Sequence, residues 1–95
     1  MSTEADVQAK ILKLLKNHGY SVFKTMQCNR NGIADIIACS PKGIFTAIEV
    51  KAPGKLRGVS LLQKNYLDEI RCRGGVAILA DSVKIVEDAL YLRST

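Results

Sequence analysis

The sequence predicts an α/β fold in which a mixed β-sheet is flanked by helices. Three observations predict it: an opening segment with helical periodicity, three consecutive strand-like stretches, and a strand–helix–strand order after them. The predicted order of elements is therefore α-β-β-β-α-β-α. With 95 residues the chain is expected to form one small domain, residues 1–95.

The opening segment, residues 3–18, has the spacing of an amphipathic helix. Apolar residues recur at steps of four and three, at Val7, Ile11, Leu14 and Leu15. Thr3 is expected to cap the start, with Asp6 three positions later, and Gly19 to supply the left-handed residue at the end. The segment is therefore predicted to bury one stripe against the sheet.

Three strand-like stretches follow, at residues 20–26, 34–39 and 44–50. The first alternates loosely and is expected to turn Val22 and Phe23 inward. The second is apolar except for Asp35, and the third is rich in β-branched residues. Residues 40–43 have the composition of a tight turn, so the second and third strands are predicted to pair antiparallel.

A second helix is predicted over residues 61–73, after a basic loop at residues 52–59. Ser60 and Gln63 have the spacing of a capping box. The apolar stripe of this helix is expected to contain Leu62, Tyr66, Leu67 and Ile70. Residues 76–80 form a continuous apolar strand, predicted to lie parallel to the third strand because a helical crossover joins them. Ser82 is expected to cap a last helix.

Composition narrows the class of protein. Lys and Arg total 14 against 9 Asp and Glu, a formal charge of +5, which indicates an anionic partner and nucleic acid first. Cys28, Cys39 and Cys72 form no C-x-x-C pair, which argues against a disulfide framework or a zinc ribbon and favours a reducing cytoplasm. No signal peptide and no apolar run of about 20 residues is present, so no membrane association is expected.

Three polar residues stand out within the predicted strands. Asp35 heads an apolar strand, where a carboxylate is costly unless it is compensated, although Asp is also common beside turns such as residues 31–33. Glu49 and Lys51 lie two apart, so they project from the same face of their strand. The alternative interpretation is an ordinary ion pair on a solvated face.

The predicted hairpin brings Asp35 and Glu49 to one end of adjacent strands. Two convergent carboxylates attract a hard divalent cation, Mg²⁺ or Mn²⁺, and the backbone carbonyl of Val50 would add a third oxygen. Lys51 beside the metal would orient or help deprotonate the attacking water, or stabilise charge on a phosphate. The pattern therefore predicts metal-assisted hydrolysis of a phosphodiester.

The ordered set Gly32-Ile33-Ala34-Asp35, Glu49-Val50-Lys51 and Gln63 resembles the VRR-NUC branch of the PD-(D/E)xK nuclease superfamily, and its small free-standing viral and bacterial members above all. The similarity covers about residues 4–80, with Ala34 where the superfamily pattern has proline. It implies a restriction-endonuclease-like core in the cytoplasm of a bacterium or a phage-infected host. Asp35 and Glu49 would then hold the metal and Lys51 would serve the water.

The resemblance assigns two further catalytic residues. Gln63 would point at the site, although its capping box with Ser60 requires no chemistry. Glu4 would lie beside the metal. Its spacing from Val7 and Ile11 predicts that it leans toward the buried face of the helix. Its alternative role is an acid favoured by the dipole of a first helical turn.

The resemblance also implies the partners. The protein is expected to cleave DNA, branched DNA above all, in the manner of Holliday-junction resolvases. It is expected to act as a homodimer, because a two-fold symmetric junction needs two sites. A sequence-specific or nicking nuclease and a non-catalytic nucleic-acid-binding module are the alternatives. Basic residues flank the predicted site and either follow the DNA backbone or are simply solvated: Lys24, Arg30, Lys55, Arg57 and Lys64.

Overall fold

The computed structural model describes residues 2–93, which form one four-stranded sheet with helices on both faces. The elements are helix α1 (Glu4–Asn17), strands β1 (Ser21–Lys24), β2 (Ile36–Cys39) and β3 (Phe45–Val50), helix α2 (Leu61–Cys72), strand β4 (Val76–Ala80) and helix α3 (Val83–Leu90). A short 3₁₀ helix, Leu56–Gly58, lies in the predicted basic loop. The predicted α/β class and the order of elements are confirmed.

The strands lie in the order β1-β2-β3-β4, so neighbours in sequence are also neighbours in space. The first two pairings are antiparallel and the β3–β4 pairing is parallel, as the sequence predicts. Ile36 pairs with Ile48, and Val50 pairs with Ala80. The start of β2 therefore lies at the same end of the sheet as the ends of β3 and β4.

Each face of the sheet has its own apolar core. Helices α1 and α3 cover one face, with a buried cluster of Val7, Ile11, Leu14, Leu15, Ile36, Ala38, Ile48, Val50, Ile78, Ala80 and Val86. Helix α2 covers part of the other, with a smaller cluster of Ala34, Ile37, Ala47, Tyr66, Leu67 and Ala77. Strand side chains alternate between faces, so Asp35, Glu49 and Lys51 all belong to the α2 side.

The predicted helix ends are confirmed. Thr3 and Asp6 form a reciprocal capping box at the start of α1, and Ser60 and Gln63 form one at the start of α2. Gly19 has a φ of 81°, which places it in the left-handed region after α1. No helix within residues 2–93 is long and apolar enough to span a bilayer.

Two expected core residues are exposed, so both predictions were wrong. Phe23 is 60% exposed because β1 is an edge strand and α2 does not extend over it. Leu62 is 53% exposed because it lies over the loop before β2 instead of the sheet. A Cβ atom added at Gly32 would lie 2.5 Å from Leu62 Cγ, so the loop and α2 are in close contact there.

Candidate active site

Asp35 is the residue directly before β2, at the end of the sheet where β3 and β4 finish. Its backbone carbonyl accepts hydrogen bonds from the Thr25 N–H at 2.8 Å and the Thr25 hydroxyl at 3.2 Å. Its Oδ2 accepts a hydrogen bond from the Val50 N–H at 2.8 Å. Thr25, after β1, therefore holds the backbone of Asp35, and Val50 holds its carboxylate beside the end of β3.

Glu49 is a carboxylate buried in the sheet, with only 2% of its side chain exposed. Its Oε2 accepts a hydrogen bond from Gln63 Nε2 at 2.9 Å and lies 3.4 Å from Lys51 Nζ. Its Oε1 is buried and has no hydrogen-bond partner among the residues that the structure describes. An unsatisfied buried oxygen is costly, so this atom is suited to a further ligand such as a cation.

Lys51 and Gln63 complete the cluster around Glu49. Lys51 is 16% exposed, and its Nζ donates to Gln63 Oε1 at 3.3 Å. The same Oε1 accepts the backbone N–H of Ser60 at 2.9 Å, and the Gln63 N–H donates to Ser60 Oγ at 3.1 Å. The two interpretations of Gln63, as a helix cap and as a site residue, therefore hold together in one conformation.

The electrostatics of the cluster follow from burial and charge. Burial first, and then the negative charge of Asp35, raise the pKa of Glu49 to about 7. The neighbouring Lys51 lowers the pKa of Glu49 but does not offset those two effects. Glu49, whose ionisation is disfavoured by burial and by Asp35, would ionise readily beside a divalent cation, because the cation supplies the missing positive charge.

A pH dependence of stability follows from the raised pKa of Glu49. The metal-free folded protein holds the Glu49 proton more tightly than the unfolded chain, whose value is 4.5. The contribution of Glu49 to the free energy of unfolding is therefore fully present below about pH 4.5 and is lost as pH rises through about 7, by on the order of 3 kcal/mol at most. Urea unfolding in chelator at about pH 5 and about pH 8 measures this loss.

Glu49→Gln is the matched variant for that measurement, because it keeps the shape of the side chain and removes its titration. Its free energy of unfolding is expected to fall less than that of the wild type between the two pH values. Identical pH profiles for the two proteins would show that Glu49 does not titrate in this range.

Two other predicted site residues have less support from the geometry. Glu4, the first residue of α1, lies on the helical face of Val7 and Ile11 but is itself exposed. Its side chain extends from the first turn, where burial begins only at Val7. Its catalytic role stays a prediction. Val50 is buried and donates its N–H to Asp35, while the role of its carbonyl stays a prediction.

The predicted DNA-binding residues fall into two groups. Four are exposed: Lys24, Lys55, Arg57 and Lys64. Lys24 pairs with Ile36, so it projects from the α1 face of the sheet and not from the α2 face that carries the site. Arg30 is already engaged, because its guanidinium forms two hydrogen bonds to Glu69, at 2.7 and 3.2 Å, and lies 5.2 Å from the Tyr66 ring centroid. Arg30 therefore attaches the loop between β1 and β2 to helix α2.

Two residues that support the site are not predicted as site residues from the sequence. The Thr25 hydroxyl donates to the Ala34 carbonyl at 2.7 Å as well as to that of Asp35, and so holds the segment that carries Asp35. Ser60 was recognised only as a cap, although it also contacts the Gln63 carboxamide. The signal for Thr25 is its place opposite Asp35 in the β1–β2 register, which becomes visible only once the strands are paired.

A carboxylate pair and a lysine thus lie at one end of the four-stranded sheet, beside a helix that contributes a glutamine. The sequence profile of the VRR-NUC domain matches residues 2–84, so the chain belongs to the VRR-NUC family. A solved structure described as a VRR_NUC domain shares the fold, with a TM-score of 0.78 and 22% identity over 95% of this chain and 97% of that chain. A search of curated proteins gave no match.

Proposed function

We propose that this protein is a metal-dependent DNA endonuclease that hydrolyses phosphodiester bonds with Mg²⁺ or Mn²⁺. The observation that carries the proposal is the free, buried Oε1 of Glu49 beside the Asp35 carboxylate, with Lys51 and Gln63 holding the other oxygen. The membership in a nuclease-type family supports the same chemistry.

The donor set fits a hard divalent cation. Asp35 and Glu49 offer carboxylate oxygens, and the uncompensated Oε1 is the ligand that the fold leaves free. Within residues 2–93 no group of three or more His, Cys, Asp or Glu side chains converges, so two carboxylates would hold the ion, with the Val50 carbonyl and water as the further oxygens. Mg²⁺ usually keeps several waters and takes one or two carboxylates, which matches this number.

The chain's own residues would perform the following steps. The Lys51 ammonium, held between Glu49 and Gln63, would donate to the attacking water or to the phosphate oxygen on which charge develops. Gln63 would keep Glu49 Oε2 occupied, so that Oε1 faces the ion. When bound, the metal would polarise the phosphate and lower the pKa of a water.

The charge around the site suits a DNA backbone. The exposed Lys24, Lys55, Arg57 and Lys64 belong to segments that adjoin Thr25, Lys51 and Gln63. Each phosphate that they neutralise would release counterions, so binding is expected to weaken steeply with salt. Arg30 would reach a phosphate only by exchanging its bonds to Glu69, and its contribution is therefore expected to be smaller.

Exposed apolar side chains near the site favour a branched substrate. Met26, next to Thr25, is 86% exposed, and Leu61, two residues before Gln63, is 73% exposed. Apolar side chains of this kind can wedge between base steps at an unstacking cost, and the branch point of an open junction lowers that cost relative to a continuous duplex. We therefore propose structure-selective cleavage, akin to that of Holliday-junction resolvases.

A homodimer is part of the same proposal. A two-fold junction is cut symmetrically by two sites on one rigid body. Phe23 and Phe45 are exposed on the α2 face of the sheet, on the part that α2 leaves uncovered, with the exposed Cys39 on the strand between them. A second copy of the chain, two-fold related, would cover this apolar area on both protomers.

Cleavage of a panel of DNAs in Mn²⁺, with and without chelator, tests the proposal, together with sedimentation of the protein. A four-way junction is expected to be cut faster than a flap or plain duplex, chelator is expected to stop the reaction, and the protein is expected to sediment as a dimer. Equal cleavage of all three DNAs would favour a sequence-specific or nicking nuclease. Binding without cleavage in any metal would favour the non-catalytic module.

A further inference from the structure

Ser60, the residue before α2, makes two contacts with Gln63 that have opposite directions. Its backbone N–H donates to Gln63 Oε1 at 2.9 Å, and its Oγ accepts the Gln63 N–H at 3.1 Å. The first contact acts on the carboxamide of Gln63 and the second on its backbone. Ser60, which lies outside the proposed catalytic set, therefore holds both the carboxamide and the backbone of Gln63.

We propose that Ser60 is a positioning residue for the active site, acting through Gln63; the inference rests on the proposed nuclease function for its activity readout alone. Gln63 has one acceptor atom facing two donors, Ser60 N–H and Lys51 Nζ, and one donor atom facing Glu49 Oε2. A flipped carboxamide would place its NH₂ against both donors and its oxygen against the carboxylate. The Ser60 N–H thus selects the orientation in which Gln63 binds Glu49.

The consequence reaches the metal ligand. In the selected orientation Gln63 engages Glu49 Oε2, which leaves Oε1 as the free oxygen. If Gln63 turned away, Glu49 would be free to rotate and to share both oxygens with Lys51. A displacement of about 1 Å in a reacting group lowers rates by about 100-fold, so loss of this orientation is expected to be visible in kcat.

Two substitutions remove the contacts in steps, and a third is the conservative control. Ser60→Thr keeps both, Ser60→Ala removes the Oγ acceptor, and Ser60→Pro removes the acceptor and the N–H donor. Proline fits the backbone, because Ser60 has φ −80° and the preceding Val59 is extended, at φ −66° and ψ 131°. Ser82→Ala is the matched control, since Ser82 Oγ caps α3 through the Ile85 N–H and has no contact with the site.

Two readouts are measured on these proteins. The first is kcat and KM for junction DNA in saturating Mn²⁺. The second, in metal-free protein, is the pair of side-chain amide signals of Gln63 in a ¹H–¹⁵N NMR spectrum, which also shows that each variant is folded. We expect near-wild-type kcat for Ser60→Thr and Ser82→Ala, about 3- to 10-fold lower kcat for Ser60→Ala, and about 10- to 100-fold lower kcat for Ser60→Pro, with KM changed less.

A double mutant separates positioning from general destabilisation. In the Gln63→Ala background, Ser60→Pro is expected to add little further loss of kcat, because the path through Gln63 is already gone. An undiminished further loss there, or wild-type kcat in Ser60→Pro, would overturn the proposal. If the wild type cuts no DNA at all, the nuclease function fails, and the NMR readout still decides: unshifted Gln63 amide signals in folded Ser60→Pro would overturn the role of Ser60.

Discussion

Lys51→Ala is expected to lower the single-turnover cleavage rate by about 100- to 1000-fold and to leave DNA affinity within about threefold of the wild type. The reason is the position of the ammonium, 3.4 Å from Glu49 Oε2 and 3.3 Å from Gln63 Oε1, inside the cluster and largely shielded from solvent. It is therefore placed to act on the water or the phosphate more than to add affinity. Cleavage kinetics in Mn²⁺ and fluorescence anisotropy in chelator measure the two quantities.

The same variant has a second consequence that pH reveals. Lys51 lowers the pKa of Glu49, so its loss raises that pKa further and weakens ionisation of Glu49 near neutral pH. At subsaturating Mn²⁺, where a proton competes with the ion for Glu49, part of the lost rate is expected to return as pH is raised, and the loss that persists at saturating Mn²⁺ measures the direct role of Lys51. Lys84→Ala is the control, since Lys84 pairs with Asp88 on α3 at 2.8 Å. Equal losses of cleavage and binding in Lys51→Ala would contradict the assigned role.

Asp35→Asn is expected to reduce metal-dependent cleavage by more than about 1000-fold. The substitution removes one of the two negative charges that would hold the ion. The fold is expected to survive, because an asparagine oxygen can still accept the Val50 N–H that Asp35 Oδ2 binds at 2.8 Å. Thermal unfolding checks the fold, and calorimetric titration with Mn²⁺ measures the loss of metal affinity.

Asp81→Asn is the matched control for that experiment. Asp81 follows β4 at the same end of the sheet, and its Oδ2 accepts the Gly54 N–H at 2.9 Å, so the same kind of bond is altered outside the cluster. Near-wild-type cleavage is expected for it. Should Asp35→Asn cut DNA at the wild-type rate, Asp35 would have no place in the site.

Local sequence patterns were sufficient to predict the elements and the convergence of Asp35, Glu49 and Lys51. A two-residue spacing in a strand determines a shared face, and a tight turn determines which strand ends meet. The sequence left open whether Gln63 caps α2 or contacts the site. Both roles have the same local spacing, and they differ only in where strand β3 lies relative to the helix.

Tertiary placement accounts for what the sequence did not predict. The exposure of Phe23 and Leu62 depends on how far α2 extends over the sheet, and hydropathy carries no information on that. The engagement of Arg30 with Glu69 joins residues 39 positions apart in the chain, so no local pattern indicates it. The exposed position of Glu4 likewise reflects where the first turn of α1 ends relative to the sheet.

Crystals of the protein soaked in Mn²⁺ and measured at the manganese absorption edge test the central claim most directly. We expect an anomalous peak about 2 Å from Glu49 Oε1 and from an Asp35 carboxylate oxygen, with Lys51 and Gln63 still in contact with Glu49 Oε2. A manganese peak elsewhere, or none between these carboxylates at saturating Mn²⁺, would contradict it.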